Sequence, residues 1–115
     1  MNNDLEWKLY NTLSSATTEI ICDFSNIKFK EINILCFLNG GNNEWGTGLL
    51  VLKDEFTQVN TNKRIGQSFH YTPSNIDYHI NCTVCLCSDY KIKITGNLAY
   101  GTTEDNNIKA KVLYR

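Results

Sequence analysis

Apolar and polar positions alternate with a period of two through most of this chain, and no 3.6-residue apolar period lasts beyond about a dozen residues. The first run, LEWKLYN, puts Leu5, Trp7 and Leu9 on one face and Glu6, Lys8 and Tyr10 on the other. TTEIICDF (17–24) follows a Ser/Thr-rich turn. KEINILCFL (30–38) aligns Ile32, Ile34, Cys36 and Leu38. Leu35 and Phe37 on its other face predict that its second half is covered on both sides. NGGNNEWG (39–46) is dense in turn formers and reads as an exposed loop.

TGLLVLKD (47–54) reads as the next strand, followed by a polar stretch through Lys63. QSFHYT alternates from Gln67 up to Pro73, and PSN makes a turn. DYHINCTVCLCS (77–88) is the longest alternating run, and YKIKIT (90–95) sets Ile92 and Ile94 against lysines. Gly96 and Asn97 suggest a turn and GTTEDNN (101–107) a loop. IKAKVLYR closes the chain with Ile108, Ala110, Val112 and Tyr114 on one face. The pattern predicts an all-β fold: a single β-sandwich or jelly-roll-like domain of about eight antiparallel strands over residues 1–115. Neither a repeat nor a domain boundary is visible.

Composition narrows the function classes. A chain of 115 residues buries a core without disulfide or metal staples. The net charge is -1, and its 11 Lys and Arg are scattered along the sequence, which argues against a nucleic-acid partner. No apolar run approaches a membrane span, and no leader-like start is visible. Asn is abundant, as an AT-rich genome produces, but plentiful aromatic and β-branched residues argue against disorder.

The five cysteines are odd in number, which fits reduced thiols better than a closed disulfide framework. Cys82, Cys85 and Cys87 invite a metal reading. Strand alternation splits them, however, placing Cys82 with Ile80, Val84 and Leu86 on the core face and Cys85 and Cys87 opposite. Zinc sites take cysteines from tight turns, and Thr83, Val84 and Leu86 favour strand instead. A Cys85–Cys87 disulfide would span about 6.5 Å between Cα atoms, near the limit of bridging geometry. Cys22, Cys36 and Cys82 are expected as small core residues, and Cys85 and Cys87 as residues needing a cover. No metal and no cofactor is expected.

His70 and His79 flank the Pro73 turn with Asp77 nearby, but no nucleophile in a recognisable setting accompanies them. Glu44 beside Trp45 has no identifiable second carboxylate for sugar hydrolysis. The chain therefore reads as a non-enzyme. Asn42, Asn43, Glu44 and Trp45 combine amide donors and acceptors with a flat apolar ring, a mix suited to sugars. Tyr71 and Tyr100, with Tyr90, are companions for such a ligand-binding surface. A packed aromatic is the alternative reading of Trp45.

Three pieces together carry a family resemblance: WKLYNT at the start, FKEINIL in the middle and KVLYR at the end. In that order and spacing the chain resembles the small β-sandwich modules at the tips of phage tail fibres and baseplate receptor-binding proteins. Trp7, Lys8 and Leu9 match the first element of those modules, Phe29, Glu31 and Ile32 the second, and Tyr114 and Arg115 the third. Where such modules carry an Ile-Pro-Lys strand, this chain has Leu52 in place of the proline. The resemblance implies a virion protein made in the bacterial host cytoplasm. It further implies a homo-oligomer, trimeric as fibre modules usually are, that binds a host surface glycan or protein. A capsid or tail decoration protein contacting other virion proteins is the alternative, and a cellular carbohydrate-binding module is another.

Overall fold

A computed structural model of the chain describes residues 6–15, 19–40, 43–100, 103–105 and 108–115. Within these, side chains are described except at 13–15, 37–40, 43–45, 69, 97–98, 100, 103–105 and 108. The described residues form nine strands: β1 (Lys8–Ser15), β2 (Ile20–Asp23), β3 (Glu31–Gly40), β4 (Asn43–Leu52), β5 (Thr61–Tyr71), β6 (Ile76–Leu86), β7 (Lys91–Tyr100), β8 (Thr103–Asp105) and β9 (Ile108–Tyr114). Their only helical element is a single 3-10 turn at Lys53–Glu55.

Two antiparallel sheets pack face to face as a β-sandwich. One has the order β1-β9-β3-β4 and the other β2-β7-β6-β5, with β8 also pairing with β7. β2 pairs with Lys91–Ile94 and β8 with Leu98–Tyr100, so the two short strands share one edge of β7 end to end. The chain changes sheets at β1–β2, β2–β3, β4–β5 and β8–β9.

Period-2 alternation sets the core. Ile32, Ile34, Cys36, Val51, Ala110 and Val112 point inward from the first sheet, facing Ile20, Cys22, Ile80, Cys82, Val84, Leu86, Ile92 and Ile94 from the second. Each fully buried Ile, Leu or Val contributes about 1.5–3 kcal/mol of transfer free energy, so this layer dominates the favourable side of folding. One end of the sandwich is closed by rings. Phe24 stacks on Tyr10 at 4.8 Å and meets Phe29 and Tyr114 edge-on, and Phe56 and Tyr90 complete the group around Phe29.

Several sequence expectations change here. The first run does not bury its Leu9 face, since Leu9 is 55% exposed and Tyr10 packs against the core instead. The cause is a β-bulge: Leu9 pairs with Leu113 and Asn11 with Val112, leaving Tyr10 as the extra residue. Its ring turns inward, and its hydroxyl accepts the Asp23 N–H at 3.2 Å, which ties β1 to the opposite sheet. Leu35 is also exposed rather than covered.

The exposed loop expected at 39–46 is mostly strand, because β3 runs to Gly40 and β4 starts at Asn43, with Asn39 opposite Glu44. Gly96 and Asn97 lie inside β7 opposite Cys82 and Asn81, not in a turn. The segment expected as loop at 101–107 contains β8. β5 begins at Thr61, inside the expected polar stretch.

Candidate functional site

The three pieces that carry the resemblance are far apart in sequence and meet at the ring-closed end. Strand pairing does this: Lys8 lies opposite Tyr114, Tyr114 opposite Ile32, and Glu31 opposite Leu52. Beyond the last pairs, Arg115 N–H donates to Glu31 O at 3.1 Å, and Arg115 O accepts the N–H groups of Lys30 and Glu31. The Arg115 guanidinium stacks over Trp7, 4.4 Å from the ring centroid, while its Nε donates to Glu31 Oε1. Guanidinium is weakly hydrated and planar, so one group satisfies the indole face and the carboxylate together.

Lysines surround this anchor. Lys8 Nζ sits 6.0 Å from the Tyr114 ring, and Lys53 Nζ lies over Phe29 at 5.1 Å and Tyr90 at 5.6 Å. Lys28 and Lys30 flank Phe29 on the β2–β3 connection, both exposed. A cavity of about 330 Å³ is lined by Lys8, Lys28, Phe29, Lys30, Lys53 and Arg115. A second, of about 560 Å³, shares Phe29, Lys30 and Lys53 and continues along Leu52, Asp54, Phe56 and Tyr90. Tyr90 has a φ of 61°, a left-handed conformation that costs a bulky residue of order 1 kcal/mol or more. Its main chain is fixed on both sides: its N–H donates to Cys87 O and its carbonyl accepts the Phe24 N–H.

The expected ligand surface sits elsewhere. Asn42 lies outside the described residues. Asn43, Glu44 and Trp45 form the start of β4, opposite Gly40, Asn39 and Leu38, and are strand residues rather than loop residues. Tyr71 ends β5, exposed, with its ring 6.3 Å from Tyr78. Tyr100 lies in β7 opposite Tyr78 and Thr103. The register puts these positions at the ends of their sheets away from Glu31 and Lys91. Tyr90 is thus separated from Tyr71 and Tyr100 and belongs to the cationic end.

Sequence reading missed this cationic end because it treated Lys and Arg as scattered. Five of them converge in space. The one local signal was Lys28-Phe29-Lys30, two cations bracketing a buried ring.

The histidines form two separate cross-strand pairs. His70 Nδ1 donates to Asp77 Oδ1 at 2.7 Å, and Ser68 Oγ lies 2.8 Å from His79 Nδ1. A triad needs one imidazole holding the acid on one nitrogen and the hydroxyl on the other. Here the acid and the hydroxyl engage different imidazoles, so these four residues do not form a triad.

All five cysteines are free thiols. Cys22, Cys36 and Cys82 are core residues, and Cys36 hydrogen-bonds Cys82 across the sheets. That bond, then burial, pushes the Cys36 thiol far above its ordinary value; burial alone lifts Cys22 to about 12. Cys87 is covered within the chain, because β6 ends at Leu86 and alternation no longer holds beyond it. Cys85 is half-buried on the outer face, its sulfur 3.9 Å from that of Cys87. Among the described residues no group of three or more His, Cys, Asp or Glu is arranged to hold a metal ion.

Fold and site together define an all-β sandwich with an aromatic-floored cationic end. Compared with known proteins, the chain matches no family model, no curated protein and no solved structure.

Proposed function

We propose that this chain is a non-enzymatic adhesion module of a phage virion, tail-fibre-tip-like, that binds a glycan or protein on the host surface as a homo-oligomer. The observation that carries the reading is the meeting of Trp7, Glu31 and Arg115. These belong to the three pieces that resemble the fibre-tip modules, and in the fold they form one interlocked group. The split of His70, His79, Asp77 and Ser68 into separate pairs favours binding over turnover.

Self-association is supported by the outer face of the first sheet. Leu9, Leu113, Asn33 and Leu50 are successive cross-strand partners there, with Leu35 and Leu52 in neighbouring rows. Leu9, Leu35, Leu50 and Leu52 are all exposed, and clustered apolar surface on one face is the usual mark of an interface. Several linked copies raise a weak single-site affinity through avidity. The same face favours a second reading, a decoration or assembly component packed on other virion proteins.

The test is the oligomeric state by light scattering, adsorption of the purified protein to host cells, and immunogold labelling of the particle. A trimer that adsorbs to cells and labels fibre tips is expected. A monomer that does not adsorb would remove the adhesion reading, and label on the capsid would favour decoration.

A further inference from the structure

Lys8, Lys28, Lys30, Lys53 and Arg115 line one cavity of about 330 Å³, with Phe29 as its only uncharged wall among the described residues. They come from β1, the β2–β3 connection, the turn after β4 and the end of β9. Of these cations only Arg115 has a carboxylate partner among the described residues, Glu31. The Arg115 main-chain oxygen accepts the N–H groups of Lys30 and Glu31 at 2.8 and 3.1 Å. Four lysines with no ion-paired carboxylate among the described residues thus share one concavity in a chain whose net charge is -1. Like charges gathered in a cleft raise its potential and concentrate anions there.

The neighbouring cavity of about 560 Å³ is different in chemistry. It shares Phe29, Lys30 and Lys53 with the first, then offers the Asp54 carboxylate, the exposed Leu52 and the half-buried Tyr90 ring. Carboxylate acceptors beside an aromatic and an aliphatic surface suit a neutral polyol with one apolar face. The two cavities in sequence therefore match a ligand with a charged unit followed by an uncharged hydroxylated one. A bare inorganic anion would use only the first.

We propose that this end of the sandwich is a binding site for an acidic saccharide. Its carboxylate, sulfate or phosphate group sits among Lys8, Lys28, Lys30 and Lys53, and the sugar ring extends over Tyr90 toward Asp54. The assignment deepens the adhesion reading, and rests on it only for the claim that the saccharide belongs to a host surface.

The experiment is a titration of the ¹⁵N-labelled protein, following amide shifts, with glucose 6-phosphate, inorganic phosphate, glucose and a short oligothymidylate. Glucose 6-phosphate is expected to shift the amides of residues 28–31 and 53–56 saturably. Its affinity should exceed that of inorganic phosphate by about tenfold, the ratio worth ~1.4 kcal/mol of sugar contacts. Glucose alone should produce little change, and added salt should weaken the response. Lys28→Gln with Lys30→Gln, both exposed side chains, should abolish the phosphate-dependent shifts while leaving the remaining spectrum unchanged. Tyr90→Phe, which keeps the ring, should retain binding.

Equal affinity for inorganic phosphate and glucose 6-phosphate would overturn the saccharide assignment, as would tighter binding of the oligothymidylate. The absence of any saturable shift would overturn the site. Sugar binding without adsorption to host cells would remove the adhesion reading and leave the site standing. Adsorption unaffected by the lysine substitutions would leave the adhesion reading standing and overturn the claim that this site's saccharide belongs to the host surface.

Discussion

Arg115 and Trp7 lie against each other, guanidinium to indole at 4.4 Å, although they stand near opposite ends of the chain. Glu31 completes the group by accepting from Arg115 Nε, and its side chain is only 18% exposed. The stacked and charge-assisted contacts together predict that Arg115→Ala lowers stability by about 1–2 kcal/mol. Arg115→Lys should recover only part of it, because an ammonium lacks the planar fork. A urea-denaturation cycle with Trp7→Ala should give a coupling of about 0.5–1 kcal/mol. Additivity within error would mean that the stacking contributes nothing.

Gly66 faces a tight spot in the β5–β6 ladder. A Cβ built there would lie 2.7 Å from the carbonyl oxygen of Ile80, and that oxygen belongs to backbone beside the buried core layer. Gly66→Ala must displace one strand from the other, at a cost of about 1–3 kcal/mol. Thermal unfolding should show the loss as a lower midpoint. An unchanged midpoint would mean that the hairpin shifts at no cost.

The core was readable from sequence wherever both faces of a strand kept a strict period. Ile80, Cys82, Val84 and Leu86 alternate with polar or semi-polar residues, and each is buried. Tyr10 was not readable, since a bulge inverts the facing of a residue without changing the pattern of letters. Gly96 and Asn97 looked like a turn because local preference takes no account of Cys82 and Asn81 on the next strand. Residues 39–46 failed similarly: their turn formers extend along both arms of a hairpin. The cationic end was hidden for a topological reason. Lys8, Lys30, Lys53 and Arg115 have no common spacing, and only the pairing of β1 with β9, β9 with β3 and β3 with β4 gathers them.

The thiols should separate by reactivity. Cys22, Cys36 and Cys82 have essentially no exposure, whereas Cys85 is half-buried on the outer face. Native protein treated with iodoacetamide should be modified at Cys85 first, with the three core thiols reacting only after unfolding. Burial lifts Cys22 to about 12, so its neutral form is favoured in the fold. The unfolded thiol releases its proton near pH 8.5. The stabilisation associated with Cys22 is therefore complete below that pH and declines as pH rises toward about 12. Cys22→Ala should remove this part of the alkaline decline while costing packing at every pH. Peptide mapping and alkaline denaturation curves measure the two effects, and early labelling of Cys22 in native protein would contradict both.

Glu55 sets the opposite, acidic limit. Its carboxylate accepts from Lys63 Nζ on one oxygen and from the Leu52 N–H at 2.7 Å on the other, tying the 3-10 turn to the end of β4. The Lys63 hydrogen bond, then the Leu52 N–H, hold its carboxyl below the usual range. The unfolded group titrates near pH 4.3. A depressed folded value means that the contribution is present above the unfolded pKa and is lost as pH falls through the folded one. Because the pair is partly solvated, Glu55→Gln should cost about 0.5–1 kcal/mol at pH 7 and little at pH 2. Lys63→Met should reproduce most of that difference, since Lys63 is the larger cause of the shift. Denaturant midpoints for the three proteins across this pH range decide the matter. Parallel curves from pH 7 to pH 2 would show that the turn is held by Phe56 and its ring neighbours, with the ion pair only decorating it.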